Sequence, residues 1–182
     1  MINFYKPNPR NTGHACSFKL SNQDNRFYAE ILKQDSWNPA TRTGSFSQNA
    51  KDPAKKAVVK FSHTEIGGIL DSIDTGRAFS AYHDGAVTQF STSIKFEPYM
   101  KDGVQIGHSF SVVKSSKEDS SKKTNFVIGL NFGEGRLLKE ALTLFIRKAI
   151  EIDVANYAAK SPKSESPAAS DGQTIEATSL DV

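Results

Sequence analysis

Few residues in this 182-residue chain have the types and spacing that chemistry needs. His83-Asp84 has the makings of a general base beside a carboxylate, and His14 and Cys16 stand two apart, on one face of an extended strand. Neither pair has the further groups catalysis requires: there is no second cysteine, no carboxylate pair and no serine at an elbow. Gly133-Glu134-Gly135, with Gly129 upstream, lies where phosphate-binding loops occur. Yet Gly-Lys-Ser/Thr and the third glycine of a dinucleotide fingerprint are missing, so it reads as a tight turn before an exposed helix start. One cysteine and four histidines offer neither an intrachain disulfide nor a zinc cluster. No enzymatic activity and no cofactor are expected.

The tyrosines and lysines carry a different chemistry. Side chains of an extended strand alternate between two faces. In 14–20, Cys16, Phe18 and Leu20 oppose Ser17 and Lys19; in 57–61, Ala57, Val59 and Phe61 oppose Val58 and Lys60. In 91–99, Ile94, Phe96 and Pro98 oppose Lys95, Glu97 and Tyr99. Tyr5 opposes Phe4, Tyr28 opposes Phe27, and Tyr82 opposes Phe79, Ala81 and His83. Tyrosines thus fall on the side away from the Phe-rich faces, together with Lys19, Lys60 and Lys95. Rings interleaved with ammonium groups on an open sheet suit a single-stranded nucleic acid. Bases stack on the rings, at roughly 1–3 kcal/mol each, and the cations hold the backbone. Tyrosine is also a favourable residue on any half-wet strand, and such a face serves equally as a protein interface.

Positioning these residues requires a repeated set of elements. Alternating segments occupy 2–6, 14–20, 26–34 and 57–61, followed by a helical pattern over 63–74. Alternation returns at 77–83, 91–99, 106–114 and 125–132, followed by a helical pattern over about 134–158. The first helix opens on a capping box, Ser62-His63-Thr64-Glu65, with Ile66, Ile69, Leu70 and Ile73 at helical spacing. The second carries an apolar stripe in which Leu138, Leu142 and Phe145 are placed to meet both the core and a neighbouring copy. The expected class is α+β: two four-stranded antiparallel sheets, each followed by a helix, repeated over 1–76 and 77–158 within one domain, 1–160. Helices on one face of such sheets leave the other face wet.

Two loops interrupt the pattern. Residues 35–56 hold the breakers Asn38-Pro39, Thr43-Gly44 and Asp52-Pro53, and 115–123 reads as a charged hairpin tip. Trp37 lies in the first loop, either anchoring it in the core or closing over a ligand ring. Residues 161–182, rich in Ser, Pro and Ala, are expected to be disordered. Lys163 there faces Glu165, Asp171, Glu176 and Asp181, so the body is more basic than the net +3 of the chain. A basic body with an acidic tail fits a polyanion ligand, with the tail competing for its site or recruiting replication or recombination proteins. Solubility alone also explains it. No run approaches the roughly 20 apolar residues of a membrane-spanning helix, and the first residues show no signal or transit pattern. The chain is therefore expected in the cytoplasm.

The run Val59-Lys60-Phe61-Ser62-His63-Thr64-Glu65-Ile66-Gly67-Gly68-Ile69-Leu70, followed by Phe79-Ser80-Ala81-Tyr82-His83-Asp84, resembles the plant Whirly family of single-stranded-DNA-binding proteins. Ile94-Lys95-Phe96-Glu97-Pro98 is similar to the family's Lys-Val-Glu-Pro strand, and Ser109-Phe110-Ser111-Val112-Val113 to its next strand. The resemblance covers roughly residues 1–155. It implies two blade-like sheets, helices packed in a tetramer core, and single-stranded DNA along sheet edges between protomers. Mitochondrial guide-RNA-binding proteins and single-strand-binding transcriptional coactivators share this general architecture. Where the family carries Lys-Gly-Lys-Ala-Ala-Leu, this chain has Thr12-Gly13-His14-Ala15-Cys16-Ser17, without either lysine. Higher assembly is thereby put in question, and DNA contact shifts to Lys6, Lys19 or the 35–56 loop. With no organelle-targeting extension, a bacterial or viral source is expected.

The resulting expectation is a homotetrameric single-stranded-DNA-binding protein acting in replication, recombination or repair. Lys6, Lys19, Lys60 and Lys95 would contact phosphates, and Tyr28, Tyr82 and Tyr99 would stack on bases. Two alternatives stay open: RNA binding on the same sheet, and an assembly protein whose Tyr/Lys face meets another protein.

Overall fold

The computed structural model describes residues 1–85, 89–119 and 121–160. Alternating sequence produces strands where it is expected to. Strands β1 (Ile2–Lys6), β2 (His14–Leu20) and β3 (Phe27–Lys33) are joined by β6 (Lys56–Phe61) in an antiparallel sheet of order β1-β2-β3-β6. Helix α1 (His63–Thr75) follows. Strands β7 (Phe79–Asp84), β8 (Phe90–Lys101), β9 (Val104–Ser116) and β10 (Lys123–Asn131) form the second sheet, in order β10-β9-β8-β7, and α2 (Phe132–Lys160) closes it. This is the expected α+β arrangement, four strands and a helix in each half.

The period-two pattern sends the phenylalanines inward. Phe18 and Phe61 of the first sheet meet Phe110 of the second, with ring centroids 5.3 and 6.4 Å apart. Phe27, Phe96 and Phe126 are fully buried beside them. Burying each such ring is worth about 1.5–3 kcal/mol, so these faces hold the sheets together. Because the sheets meet through their Phe faces, their outer faces point away from one another.

The helices fill what the sheets leave. Ile66 and Ile69 of α1 are fully buried, and Ser72 Oγ donates to the Phe96 carbonyl at 3.2 Å. Two helical glycines admit rings. A Cβ at Gly68 would lie 2.4 Å from the Phe79 ring, and one at Gly135 2.4 Å from the His108 ring. His108 is stacked on Phe96 at 5.5 Å, and burial lowers its pKa, favouring the neutral imidazole.

Both helices start on the same device. At α1, the Glu65 N–H donates to Ser62 Oγ (3.2 Å) and the Ser62 N–H to Glu65 Oε2 (2.8 Å). At α2, the Glu134 N–H donates to Asn131 Oδ1 (2.9 Å) and the Asn131 N–H to Glu134 Oε2 (2.8 Å). The expected tight turn at Gly133-Glu134-Gly135 is therefore the first turn of α2 itself. The carboxylate of Glu134 already takes the Asn131 N–H at this helix start and would repel a visiting phosphate.

The 35–56 loop is more ordered than expected. It holds a short hairpin, β4 (Ser36–Asn38) and β5 (Thr43–Ser45), and a single 3-10 turn, Asn49–Lys51. Trp37 stands half-buried on β4 opposite Gly44 and is not part of the core. The expected tip at 115–123 is narrower, since β9 runs through Ser116 and β10 begins at Lys123. The expected tail, 161–182, lies outside the described residues. No helix among the described residues is long and apolar enough to cross a membrane.

Candidate nucleic-acid interface

Antiparallel register lays the outer face of the first sheet out in rows. Lys19, Tyr28 and Lys60 are direct cross-strand partners on β2, β3 and β6. The next row is Asn3, Ser17, Glu30 and Val58, and the one beyond is Tyr5, Ala15, Leu32 and Lys56. Three of the expected contact residues thus form one continuous cation–ring–cation row.

One acid sits on that row. Asp24, in the β2–β3 turn, accepts from Lys60 Nζ at 2.8 Å and from the Tyr28 hydroxyl at 2.6 Å. Lys60 Nζ also lies 5.7 Å from the Tyr28 ring centroid. Hydrogen bonds from Lys60, then Tyr28, hold the Asp24 carboxyl well below the usual carboxylate range, and the same contact raises the Lys60 pKa. Both groups are thus charged and mutually occupied. Lys19 makes no ion pair with any described residue.

The second sheet carries the other predicted residues on its own outer face. Tyr82 of β7 is opposite Ser93, and Lys95 of β8 is opposite Ser80 and Ser111. The Tyr99 ring lies over Gly129 of β10. Tyr82 and Tyr99 are 62% and 48% exposed, open enough for a flat ring to stack on either. Among the described residues Lys95 pairs only with Glu97, at 3.8 Å across exposed surface, a contact of small energetic weight. The predicted residues therefore form two patches on opposite sides of a protomer.

Four predicted residues lie elsewhere. Lys6 has the parity of Phe4, not of Tyr5, and its ammonium is held by the Glu134 carboxylate at 2.5 and 2.6 Å. It fastens β1 to α2 and stays off the outer face. Leu138 and Leu142 are buried within the protomer, and Phe145 stacks on Phe27 at 6.3 Å. The large apolar residues that α2 presents to the surroundings instead include Leu137, Leu144, Ile150 and Val154.

His83 has a partner after all. Its Nε2 lies 2.6 Å from Glu65 Oε1, which explains the residue structurally. Burial pushes the Glu65 carboxyl up, but the Ser62 N–H, His83 and the Ser62 hydroxyl outweigh it and hold the pKa below its ordinary value. His14 faces the core, and burial and the nearby Lys33 lower its pKa to about 4. Cys16 is buried, which pushes its thiol pKa far up and leaves it unreactive. Among the described residues no cluster suits a metal ion.

One ring escaped the sequence analysis. Phe46 follows β5 and folds over the first sheet, its centroid 6.1 Å from that of Tyr5. The available signal was a lone large aromatic in an otherwise polar run, Gly44-Ser45-Phe46-Ser47.

Two four-stranded meanders packed face to face, each ending in a helix, define the Whirly-like fold. The plant transcriptional regulator PBF-2 shares it at TM-score 0.58 and 20% identity, over 90% of this chain and 88% of that one. WHY3 from Arabidopsis thaliana does so at 0.58 and 17% identity, over 88% and 94% of the two chains. WHY1 from Arabidopsis thaliana does so at 0.57 and 16%, over 91% and 96%. These neighbours are Whirly proteins, and the likeness is one of fold. No family model matches the sequence, and no curated protein matches it significantly.

Proposed function

We propose that this chain is a non-enzymatic single-stranded-DNA-binding protein. The observation that carries the reading is the Lys19–Tyr28–Lys60 row across three adjacent strands of an open sheet. Its spacing offers ring faces to bases and ammonium groups to the phosphates on either side. The Tyr82, Lys95 and Tyr99 patch repeats that composition on the second sheet. A strand crossing from one protomer to the next can use both patches, so the protein acts as a homo-oligomer, a tetramer by analogy with the resemblance. The exposed Leu137, Leu144, Ile150 and Val154 of α2 supply the apolar surface for that assembly. Its role is to protect or organise single strands during replication, recombination or repair.

Fluorescence anisotropy with a labelled single strand, its duplex and the matching RNA tests this across a salt series. The reading requires tight single-strand binding, weak duplex binding, and a log–log salt slope near −0.7 for each phosphate held. Preference for RNA would move the assignment to RNA handling on the same sheets. No binding at low salt would make the Tyr/Lys faces protein interfaces.

A further inference from the structure

The connection between the third and fourth strands of each half differs: 117–122 in the second half, 34–55 in the first. The long one builds something. It is pinned at its base by Gln34, whose side chain accepts from the Asn8 N–H (2.8 Å) and donates to the Ser36 carbonyl (2.8 Å). Asp35 accepts from the Gln48 N–H at 2.8 Å, and Asn49 Nδ2 donates to the Lys33 carbonyl at 2.9 Å. These bonds hold Phe46 over the outer face of the first sheet.

Between that segment and the sheet lies an open groove of about 350 Å³. It falls in the size range of small-ligand sites, about 300–1,000 Å³. One end is apolar, with Tyr5 and Phe46 as tilted rings above Leu32. The floor is the polar row Asn3, Ser17 and Glu30, and Lys19 stands at the other end. Glu30 lines this floor and makes no hydrogen bond or ion pair with any described residue, so its carboxylate is an acceptor open to a donor. An aromatic wall, a carboxylate floor and an ammonium at the rim match one nucleotide, with base, base edge and phosphate in turn.

We propose that this groove is a nucleobase slot that selects bases with an exocyclic amine over thymine. The base packs against the single aromatic wall that Tyr5 and Phe46 form together, Glu30 accepts from the amine and Lys19 meets the phosphate. The inference rests on the nucleic-acid reading above and adds base preference to it. Where cytosine carries its amine thymine has a carbonyl, O4, which the carboxylate repels, and its one donor, N3–H, is flanked by carbonyl oxygens on both sides. The second half, lacking a covering segment, contributes stacking without this selection.

Oligo-dC and oligo-dT of equal length test the slot at mildly alkaline pH and fixed salt, since both are pyrimidines and differ in the amine. The chain should bind oligo-dC about tenfold more tightly, the effect of one charge-assisted hydrogen bond. Glu30→Gln should bring the two within about twofold, and Phe46→Ala should weaken oligo-dC about tenfold through lost stacking. Circular dichroism and thermal melting of both variants check that the fold is kept. Equal binding of the two homopolymers, or a preference surviving Glu30→Gln, overturns the slot; if Lys19→Ala still weakens binding then, the broader reading stands without it. Absence of binding to either homopolymer removes both.

Discussion

Glu65 caps α1 and at the same time meets His83 of β7, with Oε1 and Nε2 2.6 Å apart. Glu134 does the same in the other half, capping α2 while holding Lys6 of β1. Each capping carboxylate of one half thus grips the first strand of the other, so the repeat is also a mutual clasp. His83 and Lys6 follow Tyr82 and Tyr5 directly in sequence, and the clasp aims both rings outward.

The Glu65 clasp gives a pH-dependent contribution to stability. Its carboxyl is depressed in the fold, so the contribution is full above the unfolded Glu pKa and is lost as pH falls through the folded one. Glu65→Gln should cost about 1–2 kcal/mol at neutral pH, the scale of a lost cap with one charged hydrogen bond. Thermal denaturation of both proteins, taken down to about pH 3, should show the gap close below the carboxylate range. A gap that stays constant would assign the cost to something other than this ionisation.

Asp24 holds Lys60 and Tyr28 in the way a phosphate would. Asp24→Asn should therefore strengthen single-strand binding several-fold and steepen the salt slope by about 0.7, one further phosphate contact. Anisotropy over a salt series reads both. Weaker binding in the variant would mean that Asp24 orders the row instead of competing for it.

The two Tyr/Lys patches lie on opposite sides of the protomer and share no partner, so their energies should add. Lys19→Glu and Lys95→Glu should each weaken binding to a long oligonucleotide, and the double variant should lose the sum in log affinity. Far-UV circular dichroism should be unchanged throughout. A double variant no worse than one single variant would restrict binding to one sheet.

Helix α2 separates folding from assembly. Leu142 is buried in the protomer, and Leu142→Asp places a charge there without a partner, costing more than about 3 kcal/mol and unfolding the chain. Leu144 is 63% exposed, so Leu144→Asp should leave the fold intact and lower the mass measured by sedimentation. An unchanged mass would take α2 out of the assembly surface.

Much of this was legible because the strands are long and strictly alternating. Parity assigns Phe18, Phe61, Phe110 and Phe126 to inner faces, and Ser62-x-x-Glu65 marks the start of α1. Lys6 was equally legible: it stands two residues from Phe4 and must share its face. The second cap was hidden because Gly133 and Gly135 suggested a turn, although Asn131-x-x-Glu134 is the same signal. Helical spacing placed Leu138, Leu142 and Phe145 on one stripe but could not divide that stripe between core and neighbour. β4 and β5 have three residues each, too few for a period, and Asn38-Pro39 at the end of β4 reads as a breaker. Phe46 shows only as a lone aromatic in a polar run, and its position depends on side-chain bonds from Gln34, Asp35 and Asn49 that no local pattern marks.

The central claim is that single strands lie on the outer face of the first sheet. Photocrosslinking with an oligonucleotide carrying iodinated pyrimidines, followed by peptide mass mapping, addresses it most directly. Crosslinks should fall on the peptides holding Tyr28, Tyr5 and Phe46, and should fade as salt rises. Crosslinks confined to α2 or to the β8–β9 hairpin, with the first sheet unmarked, would contradict the account.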